Sequence, residues 1–276
     1  MIDVDGFRLF LYQEEMSPNT IASYCESVKR YAADHDEIDK SELIAYKHEQ
    51  LAKYKPSTVN LRIAAILAYC RYKNIPIRLK SIKIPRITSV ENVITVEQLD
   101  DLLCRLKKDG DRCWYVNILL LSKTGMRISE AMRVTKRDIL KGRIQMMTKG
   151  KIRTIYFPKS LVDAIKPDLA KLSVSDCVMR CHKGRRTAYP KQTKPFSSHQ
   201  AVRNGMAYIG KRYGFPPEVM HPHSLRHLFA IEFLKRNHDI ALLSDLLGHS
   251  NVSTTQIYLR LSSEQQAQEV DKTVDW

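Results

Sequence analysis

Apolar residues recur every three to four positions through most of the first eighty residues, the signature of helices that bury one face. Phe7, Phe10 and Leu11 form the first such stripe. Ser17-Pro18 then offers an N-cap followed by proline at the first helical position, and Ile21, Tyr24, Val28 and Tyr31 carry a second stripe. A third predicted helix runs from about Ser41 to Ala52. A fourth starts after Pro56-Ser57, with Val59, Ile63, Ile66 and Leu67 on its inner face. Four short helices with short connections predict a small helical bundle over residues 1–78.

The periodicity then stops. Pro76 and Pro85, with Arg78, Lys80, Lys83 and Arg86 beside them, predict an extended basic linker over residues 79–94. It reads either as a solvated connector or as a strap lying across a polyanion, and the charge of the whole chain favours the strap.

A second domain, residues 95–276, opens with a capping-box pattern at Thr95 and Gln98. Helices are predicted over Val96 to Lys107 and Asp111 to Lys123. Two short strands, Ile144 to Met146 and Ile152 to Tyr156, flank a turn at Gly150. Helical spacing resumes near Ser160 and again over Ser198 to Tyr213, Ser224 to Arg236 and Ile240 to Leu247, the last stopped by Gly248. Ser262 to Val270 predicts one more short helix before the tail. The expected class is therefore mainly α with a small β-sheet, a helical domain followed by an α+β domain.

Charge sharpens this picture. Lys and Arg total 45 against 30 Asp and Glu, a formal net charge of +15. Basic side chains displace counterions from phosphates, so the surplus points to nucleic acid. It is uneven: the bundle is near balance, whereas from Arg143 to Arg226 bases outnumber acids about four to one. No apolar run approaches the ~20 residues of a membrane span, and the start, Met1 to Asp5, lacks a basic, apolar leader. Six scattered cysteines read as reduced thiols, so a cytoplasmic protein is expected. Cys177, Cys181 and His182 lack a second Cys/His pair at ligand spacing, and no metal site is expected.

Four segments of the second domain carry side chains suited to a phosphodiester. In Thr124-Gly125-Met126-Arg127-Ile128-Ser129-Glu130, Gly125 permits a sharp turn and Arg127 follows at a helix start, where its guanidinium can grip a phosphate. Glu130, three residues on, can orient that guanidinium, although a plain surface ion pair has the same spacing. In Thr148-Lys149-Gly150-Lys151 a turn lysine can reach a departing oxygen; Lys149 is preferred to Lys151, though many such lysines serve only solubility. In His221-Pro222-His223-Ser224-Leu225-Arg226-His227, His223 and Arg226 share a helix N-terminus that favours an anion. Finally, His249 precedes Tyr258, which is either a capped core tyrosine or an oxygen nucleophile. Lys83, Arg86, Lys151, Arg153 and Arg203 are the further basic residues expected to contact a DNA backbone.

The order Arg127, Lys149, His223-x-x-Arg226, His249, Tyr258 resembles the tyrosine recombinase (phage integrase) family, and closely its Xer-type members. The likeness is nearly literal at Thr124 to Glu130, at His223 to His227 and from Leu247 to Tyr258; the bundle matches by position and character only. The resemblance implies a core-binding (SAM-like) helical domain and a catalytic domain closing as a C-shaped clamp on double-stranded DNA. It implies a homo-tetramer at synapsis, with a monomer or weak oligomer before it, and an accessory DNA-bending protein in some systems. Neither an inserted domain nor an extra N-terminal arm-binding module is expected.

By the same resemblance Tyr258 attacks the scissile phosphate, Arg127 and Arg226 hold its oxygens, and Lys149 is the general acid. His223 assists proton transfer at Tyr258, His249 hydrogen-bonds the phosphate, and Glu130 supports the first arginine. Neither metal nor nucleotide cofactor is implied. The final helix is expected to dock on a neighbouring protomer. A type IB topoisomerase shares the same tools but not the segment from Leu247 to Tyr258. A regulator that kept the fold and lost catalysis would not need every one of these positions filled.

Overall fold

The computed structural model describes residues 2–84, 92–148, 151–182, 193–249, 251, 254–259, 271 and 274. Lys149, Gly150, Arg86 and the helix expected over 262–270 lie outside these residues, as does the side chain of Lys151. The chain divides into two compact units, Met1–Arg86 and Ile87–Trp276.

The first unit is four helices: α1 (Val4–Gln13), α2 (Pro18–Ala32), α3 (Lys40–Lys53) and α4 (Pro56–Tyr72). Ser17 caps α2 by accepting from the Thr20 amide, and Pro18 opens the helix. Helix α4 is the axis of the unit. Ala65, Ala68 and Tyr69 pack with Phe7, Leu11, Cys25 and Val28, while Val59, Ile63, Ile66 and Cys70 pack with Tyr31, Leu43 and Tyr46. Buried on more than one side, α4 carries apolar residues around much of its circumference, as a central helix must. The basic stretch after it is extended but pinned. Leu79 and Ile82 pack on this core, the Asn60 amide bonds both the N–H and the carbonyl of Ile82 at 2.8 and 3.0 Å, and Lys47 donates to the Lys80 carbonyl.

The second unit is built on α5 (Val96–Lys108) and α6 (Arg112–Thr124), followed by two short helices, α7 (Ile128–Ala131) and α8 (Lys136–Leu140). The antiparallel pair β1 (Arg143–Thr148) and β2 (Lys151–Tyr156) runs in register from Arg143 opposite Tyr156 to Thr148 opposite Lys151. Helix α9 (Lys159–Leu169) comes next, then a second antiparallel pair, β3 (Arg180–His182) and β4 (Thr193–Pro195). Helices α10 (His199–Tyr213), α11 (Pro222–Arg236) and α12 (Ile240–Leu247) and a 3-10 turn (Gln256–Leu259) complete the described elements. Thr95 and Gln98 form the capping box expected of them.

Helix α6 is the spine of this unit. Ile118 and Leu120 are fully buried, and Asn117 clamps β3 through both backbone groups of Arg180. Helices α5, α9 and α11 all pack on it. β3, β4 and α8 are too short to show a period and were not expected from sequence, whereas the helix start expected at Arg127 is α7. Among the described residues no helix is long and apolar enough to cross a membrane.

Because the spine fixes the elements around it, Ile118→Ala is expected to destabilise the second unit by about 2–5 kcal/mol, the range for emptying a full core site. Urea unfolding followed by Trp fluorescence checks this, both tryptophans (Trp114 and Trp276) lying in this unit; a shift under about 0.5 kcal/mol contradicts it.

Candidate active site

The site begins where α6 stops. Gly125 ends that helix in the left-handed conformation, φ 58°, and a Cβ there would lie 2.4 Å from the Phe229 ring. This reversal buries Met126 and leaves Arg127 at the N-cap of α7. The Arg127 N–H donates to Glu130 Oε2 at 2.6 Å and its Nη1 to Oε1 at 3.2 Å. The sequence-based pairing of Arg127 with Glu130 is therefore present, but Glu130 is buried rather than on the surface.

From the other side Arg153 reaches Glu130, Nη2 lying 3.3 Å from Oε2. This position departs from expectation. Arg153 was expected on the DNA-facing surface, yet it is 6% exposed, and its Nη1 donates to the Leu247 carbonyl. Strand alternation is the cause: Arg153 and Ile155 share the inward face of β2, while Ile152 and Tyr156 face out.

The third guanidinium is Arg226, in the first turns of α11 and 4% exposed. It donates to the Gly125 carbonyl and the Leu247 carbonyl, each at 2.7 Å, and Arg127 Nη2 donates to the Gly248 carbonyl at 2.9 Å. Three cations thus collect at the C-terminal end of α12, where unpaired carbonyls and the helix dipole are negative. Gly248 ends α12 at φ 63°, and a Cβ there would press to 2.5 Å from Arg153 Cδ. Burial, then the positive charge of Arg127 and Arg153, pushes the Arg226 pKa down to about 10, which still leaves it charged at neutral pH.

His249 and Tyr258 join this cluster. Arg226 Nη2 can only donate, so His249 Nε2, 3.1 Å away, accepts, and Nδ1 carries the proton toward Thr255 Oγ1 at 2.8 Å. Burial and the three arginines hold His249 neutral, with a pKa pushed down to about 4. The Thr255 backbone carbonyl accepts from the Tyr258 N–H at 3.0 Å. The Tyr258 ring, on a 3-10 turn, packs with Ala230, Leu234, Leu243 and Leu247. Its hydroxyl meets His227 Nδ1 at 2.7 Å, and burial raises its pKa.

His223 is exposed at the edge of the cluster. Partial desolvation and the charges of Arg226, His221, Arg203 and Arg127 lower its pKa. The proton partner expected for Tyr258 was His223; the imidazole that touches it is His227. The i, i+4 spacing of the two histidines, which puts both on one helix face, was the signal available. Arg203 is exposed on α10, and Lys83 is exposed in the first unit. His182 pairs with Asp111, at 2.9 Å, on the side chain that was weighed as a metal ligand.

Three guanidiniums and one carboxylate leave a local excess of positive charge near Tyr258. Residues 92–265 match the family model described as the phage integrase family. The chain is 31% identical to the tyrosine recombinase XerA of Thermococcus kodakarensis, across 99% of this chain and 96% of that protein. It is 27% identical to the tyrosine recombinase XerC of Roseiflexus castenholzii, across 95% and 89%. In fold it resembles the Tn1549 transposon integrase in complex with transposon right end DNA, with a TM-score of 0.71, 15% identity and coverage of 99% of this chain and 100% of that one. It also resembles a lambda integrase dimer bound to a COC′ core site, with a TM-score of 0.70, 16% identity and coverage of 92% and 75%.

Glu130→Ala strips the carboxylate from Arg127 and Arg153 and is expected to cost about 3–5 kcal/mol, as for a buried pair broken on one side. Chemical denaturation checks it, and a loss under about 1 kcal/mol is the contrary result. A pH effect follows as well. His249 and His227 have pKa values depressed to about 4 from 6.5, so the unfolded chain binds their protons first. Their contribution to stability is complete above about pH 6.5 and is lost as pH falls through about 4. The thermal midpoint should drop across that window, and less steeply in His249→Gln; equal slopes contradict it.

Proposed function

We propose, from the premise that this chain belongs to the phage integrase family and is a tyrosine site-specific recombinase, that the arginine cluster receives the scissile phosphate of a double-stranded DNA site. The observation that carries this reading is the convergence of Arg127 and Arg226 on three backbone carbonyls beside His249 and Tyr258. Phosphate oxygens are stronger acceptors than those carbonyls, so an incoming phosphodiester competes for the same N–H groups.

Tyr258 Oη attacks phosphorus, the bond to the 5′ oxygen breaks, and the strand remains attached as a 3′-phosphotyrosine. Arg127 and Arg226 stabilise the charge spread over the non-bridging oxygens, the role a divalent cation has in many phosphoryl-transfer sites. His249 donates to the same oxygens once its ring turns from Arg226, and His223 assists proton movement at the solvent edge. Lys149 protonates the leaving 5′ oxygen, and Lys151 is the alternative. Glu130 and Arg153 hold the two phosphate-binding arginines in place. A 5′-hydroxyl of a second DNA then attacks the ester, so the number of phosphodiester bonds is conserved and no ATP is consumed.

The unit Met1–Arg86 acts as the core-binding half, with Lys83 and Arg86 on the backbone, while Lys151 and Arg203 contact it from the catalytic half. Four protomers assemble on two sites, in some settings with a DNA-bending protein, and the segment after Arg260 docks on a neighbouring protomer. The setting is the cytoplasm, in keeping with the six free cysteines.

The test is incubation with a library of duplex sites and recovery of protein–DNA adducts. The native protein should enrich a defined site and Tyr258→Phe none; adducts undiminished in Tyr258→Phe would sink the assignment. On the enriched site, Arg226→Ala should slow adduct formation by about 100–1000-fold. A change under about tenfold would remove Arg226 from the transition state. A chain truncated after Arg260 should still bind one site but fail to assemble two; normal assembly would reject the docking.

A further inference from the structure

Resting on that reading, a phenol that attacks phosphorus must give up its proton to an atom within hydrogen-bond reach. His227 Nδ1 is in that place, 2.7 Å from Tyr258 Oη, with the rings 5.6 Å apart and inclined at 52°. The Tyr258 ring packs against the buried apolar cluster of Ala230, Leu234, Leu243 and Leu247, which limits access of water to it. His223 lies one helical turn away, its ring 6.4 Å from that of His227 and exposed. Since Tyr258 is protonated at neutral pH and His227 is uncharged there, the hydroxyl donates, Nδ1 accepts and Nε2 carries the ring proton.

We propose that His227 is a further catalytic residue, holding the Tyr258 hydroxyl in the site and taking its proton on Nδ1 as the ester forms. The Oη–P bond forms, the P–O5′ bond breaks, and the phenol proton passes to Nδ1 to give an imidazolium. The departing 5′ oxygen takes its proton from the general acid assigned to Lys149. On rejoining, the incoming 5′-hydroxyl returns a proton to that amine, the O5′–P bond forms as the Oη–P bond breaks, and the imidazolium gives its proton back to Oη.

The groups facing His227 are Arg226 and His223 on α11, His221 just before them, Tyr258 from the 3-10 turn and His249 after α12. Burial and the positive neighbours keep the free imidazole uncharged, with a pKa pushed down to about 4. A bound phosphate offsets Arg226 and makes the imidazolium easier to form.

The test uses the full chain and a nicked duplex carrying the site enriched above, with either an ordinary 5′ oxygen or a 5′-bridging sulfur as leaving group. Sulfur departs without protonation, so it separates the two ends of the reaction. Single-turnover adduct formation by His227→Gln should fall by about 100-fold or more near pH 7. The loss should persist with sulfur and shrink as pH rises, hydroxide then doing the work of the imidazole. DNA affinity and thermal midpoint are measured alongside. Should His227→Gln fold poorly, His227→Ala with added imidazole replaces it, and partial recovery of the rate is expected.

A rate within about threefold of native overturns the proposal, as does a loss that sulfur restores. So does a loss indifferent to both pH and imidazole, which marks a structural role. If instead the native protein forms no adduct, or Tyr258→Phe forms as much, the recombinase reading itself fails, whatever His227 does.

Discussion

The second unit is organised around an electrostatic imbalance. Arg127, Arg153 and Arg226 approach a single buried carboxylate, Glu130, and what keeps them together is the carbonyl end of α12. Cations buried with so few counter-charges are held only where hydrogen bonds replace lost hydration. Two left-handed glycines make the arrangement possible. Gly125 turns the chain so that Arg127 caps α7 while its own carbonyl accepts from Arg226, and Gly248 bares the carbonyls at the end of α12 while leaving room for Arg153. The hydrophobic spine α6 then fixes where these pieces meet.

That imbalance also governs the titrating groups. Burial beside positive neighbours keeps His249 and His227 uncharged in the resting protein, so the His227 Nδ1 lone pair faces the phenol while His249 Nε2 accepts from Arg226. The same burial keeps the Tyr258 hydroxyl protonated. In the proposed mechanism a phosphodiester supplies the negative charge that the cluster lacks, which would link binding of DNA to activation of Tyr258.

Much of this was legible from residues alone, for identifiable reasons. Long periodic helices such as α2, α6 and α11 announce themselves because burial of one face dictates spacing, and the Thr95–Gln98 box and the glycines at 125 and 248 mark ends through local chemistry. Arg127 and Glu130 are close in sequence, so their pairing could be foreseen. Arg153 was misplaced because charge was weighed over strand alternation, and only tertiary packing reveals the carboxylate and carbonyl that satisfy it. His227 was passed over because its partner lies 31 residues away, a contact no local pattern encodes. Short elements exist through tertiary contacts rather than through any period of their own: β3 is clamped by α6, and β4 pairs with β3.

The central claim is chemical: the arginine cluster holds a phosphate that the oxygen of one tyrosine strikes. Digestion of the trapped protein–DNA adduct and mass spectrometry of the nucleotide-bearing peptide measure this directly. The account predicts a phosphodiester between Tyr258 Oη and a 3′ nucleotide. Attachment through a different side chain, or through a 5′ phosphate, would contradict it.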